Sequence, residues 1–129
     1  MPSPKYRFVY SGIRVKNMQE SIDFYTNIFG MKISRRGKMP HGGEYVGLRS
    51  PGSRQELELN WYPPKSKYYT KYAKGEEMDH LAFGVGNALK AYNDMKSKGV
   101  KAAIPPSRSK GTEIYVQDPN GIWIELLNW

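Results

Sequence analysis

The chain has no cysteine among its 129 residues. That excludes disulfides, thiolate-held metals and cysteine nucleophiles. It fits an expected cytoplasmic setting. Long apolar runs are missing too. Mean hydropathy is −0.70, and no stretch approaches the roughly 18–20 apolar residues that a membrane span needs. The opening MPSPKYRF lacks the apolar core of a secretory leader. Acidic residues are scarce, with 12 Asp and Glu against 20 Lys and Arg, a net charge of +8. An excess of this size is either a solvated basic surface or the footprint of an anionic partner. The lysines are dispersed and no basic helix stands out, so nucleic acid is not the expected partner. Residues 65–72, KSKYYTKY, do interleave rings with cations, as a base-stacking surface would. A loop over a pocket or at a subunit contact accounts for them equally. Only two histidines occur, His41 and His80. His41 lies in Met39-Pro40-His41-Gly42-Gly43 and reads as an exposed loop residue.

What the chain does have is a pattern that occurs twice. Residues 7–15 form a β-rich run. Tyr10, Gly12 and Arg14 share one face, and Val9, Ser11, Ile13 and Val15 share the other. Asn17 is placed to cap a helix, with Glu20 as its capping-box partner. Met18, Ile22, Tyr25 and Phe29 make an apolar stripe at helical spacing, and Gly30 offers a left-handed stop. Residues 31–36, 44–49 and 55–62 read as three strands, parted by Gly42-Gly43 and by 50–53. Pro63-Pro64 interrupts, and 65–75 is a polar connector. The pattern then restarts. Strand 78–85 puts His80, Ala82 and Gly84 on one face. Asn87 caps a helix whose apolar side is Ala88, Ala91, Tyr92 and Met95, and Gly99 ends it. Strands are expected at 100–104, 113–117 and 122–128.

Tyr10, Val15 and Asn17 lie 70 residues before His80, Val85 and Asn87, and Gly30 precedes Gly99 by 69, as Glu56 precedes Glu125. The expectation is one α+β domain over 1–129. It comprises two βαβββ units, 7–62 and 77–129, joined by connector 63–76 and forming an open, cup-shaped mixed sheet.

Pairing of such units about a two-fold axis would bring four polar side chains together. Tyr10 and His80 come from the first strands, Glu56 and Glu125 from the last. Glu125 stands out within QDPNGIWIELLNW, residues 117–129. Ile122, Ile124 and Leu126 point one way there, and Glu125 points the other with Trp123 and Leu127. ELELNW at 56–61 echoes ELLNW at 125–129. An imidazole with one or two carboxylates on rigid strands makes a nitrogen–oxygen site for a divalent ion such as Ni²⁺, Co²⁺, Zn²⁺, Mn²⁺ or Fe²⁺. Taken singly, His80 also suits a core histidine with one hydrogen bond, and Glu125 a strand-end ion pair. Arg14 and Asn60 fall on the cup side. They would clamp a substrate carboxylate, or Arg14 would bridge to Glu56 or Glu58.

With Ile13-Arg14-Val15, Ser21-Ile22-Asp23-Phe24-Tyr25, Phe29-Gly30-Met31, Glu56-Leu57, Asn60-Trp61, Asp79-His80-Leu81-Ala82, Asp118-Pro119-Asn120-Gly121 and Ile124-Glu125, the chain resembles the vicinal oxygen chelate superfamily. Within it, the chain is most similar to the glyoxalase I (lactoylglutathione lyase) family. The resemblance implies one divalent metal held at Tyr10, Glu56, His80 and Glu125, where the family has His or Gln in place of Tyr10. It implies substrate contacts at Arg14, Asn60 and Lys110, with Glu125 as base and Glu56 as its partner. The implied activity turns a 2-oxoaldehyde–thiol hemithioacetal into a 2-hydroxyacyl thioester through an enediolate, as in methylglyoxal detoxification. Glu76 and Glu77 stand where some members carry a basic residue before the third ligand. Other members imply alternatives: an acyl-CoA epimerase, an Fe-dependent ring-cleaving dioxygenase, or a metal-free sequestration protein of the bleomycin-resistance type. A homodimer is expected, with the repeats paired inside one chain or swapped between two.

Overall fold

The structure is a computed structural model that describes residues 9–40, 42–67, 69–73, 80–106 and 114–128. Each half runs strand, helix, three strands. The first comprises β1 (Ser11–Arg14), α1 (Met18–Asn27), β2 (Lys32–Lys38), β3 (Glu44–Arg49) and β4 (Leu57–Trp61). The second comprises β5 (Leu81–Val85), α2 (Ala88–Ser97), β6 (Lys101–Ile104), β7 (Tyr115–Gln117) and β8 (Trp123–Asn128). The α+β class and the two βαβββ units are as expected. Arg7, Phe8, Met78, Asp79 and Glu113, placed in strands from sequence, lie outside the described residues.

Local chemistry accounts for both helices. The Asn17 side chain accepts the N–H of Glu20 at 2.9 Å, and the Asn87 side chain accepts that of Lys90 at 2.9 Å. Each thereby satisfies one of the donors a helix leaves unpaired at its start. Gly30 at φ 66 and Gly99 at φ 85 follow the two helices. An L side chain is disfavoured in that left-handed conformation.

The strands form two four-stranded mixed sheets, ordered β1-β4-β3-β2 and β5-β8-β7-β6. In each, the first and last strands of the unit pair in parallel and the rest are antiparallel. Period-2 alternation sends Ile13, Leu57, Leu59, Val116, Ile122, Ile124 and Leu126 inward. There they join Met18, Ile22, Tyr25, Tyr92 and Met95 of the helices in one core. Burying each such large apolar side chain contributes roughly 1.5–3 kcal/mol.

The two units are locked by the turn before β8. Asp118 and Asn120 are buried. One Asp118 oxygen accepts the N–H groups of Asn120 and Ile122, each at 2.8 Å. The other accepts the Asn120 amide at 3.1 Å and the Tyr25 hydroxyl of α1 at 3.0 Å. Asn120 also accepts the Lys16 N–H at 2.9 Å and donates to Ser21 at 3.2 Å. Phe29 stacks on Phe83 with ring centres 4.0 Å apart. The Asp-Pro-Asn-Gly run is therefore more than turn chemistry. It ties the second unit to the helix of the first.

Ladder register corrects one sequence inference. Gly12 stands opposite Glu58, and Ala82 stands opposite Glu125. Gly12 and Ala82 are themselves repeat equivalents, so the counterpart of Glu125 is Glu58, not Glu56. The cause is a difference in turn length. The β3–β4 connection is two residues longer than the β7–β8 connection. The local echo between ELELNW and ELLNW hides that insertion.

Candidate functional site

In the second unit, Glu125 projects from the outward face of β8, away from the Ile122, Ile124 and Leu126 side that fills the core. Its Oε1 lies 3.4 Å from Nε2 of His80, which immediately precedes β5. Both side chains are reachable, His80 at 34% and Glu125 at 21% exposure. Parallel pairing of β5 with β8 brings them together, and the residue opposite Glu125 is the small Ala82. Tyr115, next to Glu125 across the ladder, walls the site. Its ring meets His80 edge-on at 5.4 Å. An imidazole beside a partly exposed carboxylate can move a proton at a bound carbon acid, or present one nitrogen and one oxygen to a cation.

In the first unit the corresponding acid is covered. Arg35 of β2 donates Nε to Glu56 at 2.9 Å and Nη2 to Glu58. Its guanidinium centre lies 5.0 Å from the Tyr10 ring centre and 5.3 Å from that of Tyr45. Glu56 also takes the Ser34 hydroxyl at 2.8 Å, and Arg49 stands 3.9 Å away. The hydrogen bond to Glu58, with the charge of both acids behind it, holds the Arg35 pKa above its ordinary value. Glu56 thus sits in a buried ion-pair cluster rather than facing the Glu125 site.

The four side chains expected to converge do so only in pairs within one chain. His80 meets Glu125, and Tyr10 stacks over the Arg35 that binds Glu56. Among the described residues no three His, Asp or Glu side chains gather as a metal-binding group. The physical reason is topological: β1 and β5 each end their own sheet.

Arg14 and Asn60 stand opposite each other in the β1–β4 ladder, as the carboxylate clamp requires. Arg14 turns to the connector, however. It donates to the Thr70 carbonyl at 3.1 Å, with its guanidinium 5.5 Å from the Tyr72 ring centre. The bridge to Glu56 and Glu58 considered for Arg14 is made by Arg35 instead. Lys110 and His41 lie outside the described residues.

Sequence reasoning missed Arg35, and the cause is visible. A register shift between Ile33 and Arg35 leaves Ser34 as the extra residue. A bulge of this kind breaks the two-residue alternation from which faces are read. A recess of about 600 Å³ between the units, lined by Lys16, Phe24, Tyr72, Lys98 and Asn120, holds none of the predicted site residues.

Comparison with known proteins gives the family and the fold. The model of the Glyoxalase/Bleomycin resistance protein/Dioxygenase superfamily matches residues 7–126. The chain is 32% identical to a lactoylglutathione lyase of Neisseria meningitidis serogroup A, covering 94% of this chain and 89% of that one. It is 33% identical to the lactoylglutathione lyase of Escherichia coli O157:H7, covering 94% and 91%. Among solved structures, the trypanothione-dependent glyoxalase I of Leishmania major superimposes with a TM-score of 0.76 at 31% identity, over 96% of this chain and 87% of that one.

Proposed function

The chain belongs to the glyoxalase/bleomycin resistance/dioxygenase superfamily and is an enzyme of the lactoylglutathione lyase type. From that premise we propose that it isomerises the hemithioacetal of a 2-oxoaldehyde and a thiol to a 2-hydroxyacyl thioester. The observation that carries this is the contact between His80 Nε2 and Glu125 Oε1 on a face that a ligand can reach.

Glu125 is the base. Its carboxylate takes the proton from the carbon that bears sulfur and hydroxyl, next to the carbonyl. The electron pair moves into a cis-enediolate, the hydroxyl proton passes to the oxygen of the former carbonyl, and the same carboxylate returns the first proton to the neighbouring carbon, which leaves the sulfur-bearing carbon as the thioester carbonyl. Nothing is oxidised overall, and no water is consumed. His80 fixes the carboxylate and offers a hydrogen bond to the substrate oxygens, and the Tyr115 ring shields one side. A positioned base of this kind contributes roughly 10²–10⁴-fold to rate.

A divalent ion is the group this superfamily implies. The second unit fits one, with a nitrogen and an oxygen donor side by side on neighbouring strands. The first does not: Glu56 and Glu58 already bind a guanidinium, and Tyr10 is engaged as a ring face. No step is therefore assigned to a metal here.

A second copy of the chain completes the site in this proposal. It would set the first unit of one chain against the second unit of the other, through the strand edges left open at β1 and β5. Arg14, Asn60 and Lys110 would then meet the thiol portion of the adduct.

The test is product formation. Methylglyoxal is mixed in turn with glutathione, trypanothione and other thiols, and thioester absorbance is followed. Thioester should appear with at least one thiol, in proportion to enzyme. Its absence with every thiol, with and without added divalent metals, contradicts the proposal.

A further inference from the structure

Glu58 and Glu125 occupy equivalent places in their sheets, yet their surroundings are opposite. The row across the second sheet reads Ile104, Tyr115, Glu125, Ala82. The row across the first reads Arg35, Gly47, Glu58, Gly12. Where the second unit carries an aliphatic side chain, the first carries a cation. Where the second carries the Tyr115 ring, the first carries no side chain at all. A Cβ on Gly47 would overlap the Glu56 carboxylate and come within 3.0 Å of the Arg35 side chain. That glycine is what admits both groups to the space beside Glu58.

The guanidinium is held on every side. Its Nε and Nη2 donate to two different acids, each 7% exposed. The bulged Ser34 adds its hydroxyl to Glu56 at 2.8 Å, which fixes the acid that fixes the arginine. Tyr10, at the position where the resemblance implies a metal ligand, contributes its ring to the cation instead. Two carboxylates and one guanidinium leave a single negative charge, and Arg49 beside Glu56 offsets that as well. A divalent ion entering here would meet an Arg35 charge a few ångströms away, or would have to expel a side chain bound through two charge-assisted hydrogen bonds.

We propose that Arg35 is a resident cation that takes the place of a divalent ion in the first unit. Glu56 and Glu58 are committed to the guanidinium, and any metal this chain binds is held by His80 and Glu125 without them. The inference does not rest on the reaction proposed above, because it is read from binding and not from turnover.

Calorimetric titration of the full chain with Mn²⁺ and Zn²⁺ tests it. Glu58→Gln should leave the affinity of the wild-type chain within about twofold, as expected for independent sites. Arg35→Gln should raise affinity by about tenfold or more, because it removes a cation beside the incoming ion and releases two carboxylates as donors. Adding Glu58→Gln to Arg35→Gln should abolish that gain. The proposal is overturned if Glu58→Gln or Glu56→Gln alone weakens metal binding about tenfold, the loss expected when a true ligand is removed. It is also overturned if a folded Arg35→Gln chain binds no better than wild type. Circular dichroism establishes folding. Should Arg35→Gln fail to fold, the Glu58→Gln arm decides alone, since that variant keeps the Arg35–Glu56 bridge. Failure of the lyase proposal would leave these outcomes unchanged.

Discussion

At Gly47 a missing side chain shapes the first unit. The Glu56 carboxylate lies in the space a Cβ would fill, and Arg35 passes over the same point. Gly47→Ala should therefore push Glu56 and Arg35 apart in a region with little room. We expect a loss of about 1–3 kcal/mol of stability, as for other overpacked sites, measured by urea unfolding. An unchanged midpoint would mean that the cluster adjusts freely and is not tightly built. Residues differ in how far the sequence discloses them. Strand alternation together with the internal repeat points His80 and Glu125 at one site, and the structure sets them 3.4 Å apart. Arg35 was hidden because the Ser34 bulge flips the alternation before it. Glu58 was hidden because the insertion between β3 and β4 moves the acid that faces Gly12 by one full period of the strand. Nothing in the local sequence marks either event.

Elements were more legible than residues. Asn caps and left-handed glycines bracket both helices in the sequence, and α1 (Met18–Asn27) and α2 (Ala88–Ser97) lie between them. β3 covers 44–49 as read, whereas β1, β4 and β7 are shorter than their β-rich runs. Strand ends depend on partners that propensity does not show. The turn at 118–121 was legible as a turn but not as a lock, because its partners lie far off in sequence, Tyr25 by 93 residues. This lock has a pH signature. Burial first, then the charge and hydrogen bond of Asp118, push the Tyr25 phenol well above its ordinary pKa. The native state thus keeps a proton that the unfolded chain releases near pH 10. The contribution is fully present below about pH 10 and falls as pH rises beyond it. Tyr25→Phe should cost about 1–3 kcal/mol near neutrality, since Asp118 loses a donor. It should also flatten the alkaline fall in stability relative to wild type. Urea unfolding of both chains at about pH 8 and about pH 11 checks this. Equal alkaline slopes would contradict it.

At the scale of the whole molecule, the repeat was plain in the sequence and the way its halves combine was not. Equal offsets announce two like units, but the pairing of β1 with β4 and of β5 with β8 builds each sheet from the strands of one unit. The site residues are thereby divided between the two halves. The halves also diverged in chemistry. One presents an imidazole and an accessible carboxylate, and the other presents acids already neutralised by an arginine. In the reaction proposed above, that asymmetry leaves Glu125 as the base. The direct measurement is the rate of thioester formation by a Glu125→Gln chain, taken beside its thermal unfolding. The substitution keeps the shape of the side chain and removes its basicity. A rate lower by about 10²–10⁴-fold is expected, with the unfolding midpoint close to that of wild type. A folded Glu125→Gln chain that turns over at the wild-type rate would contradict the assignment of Glu125 as the base.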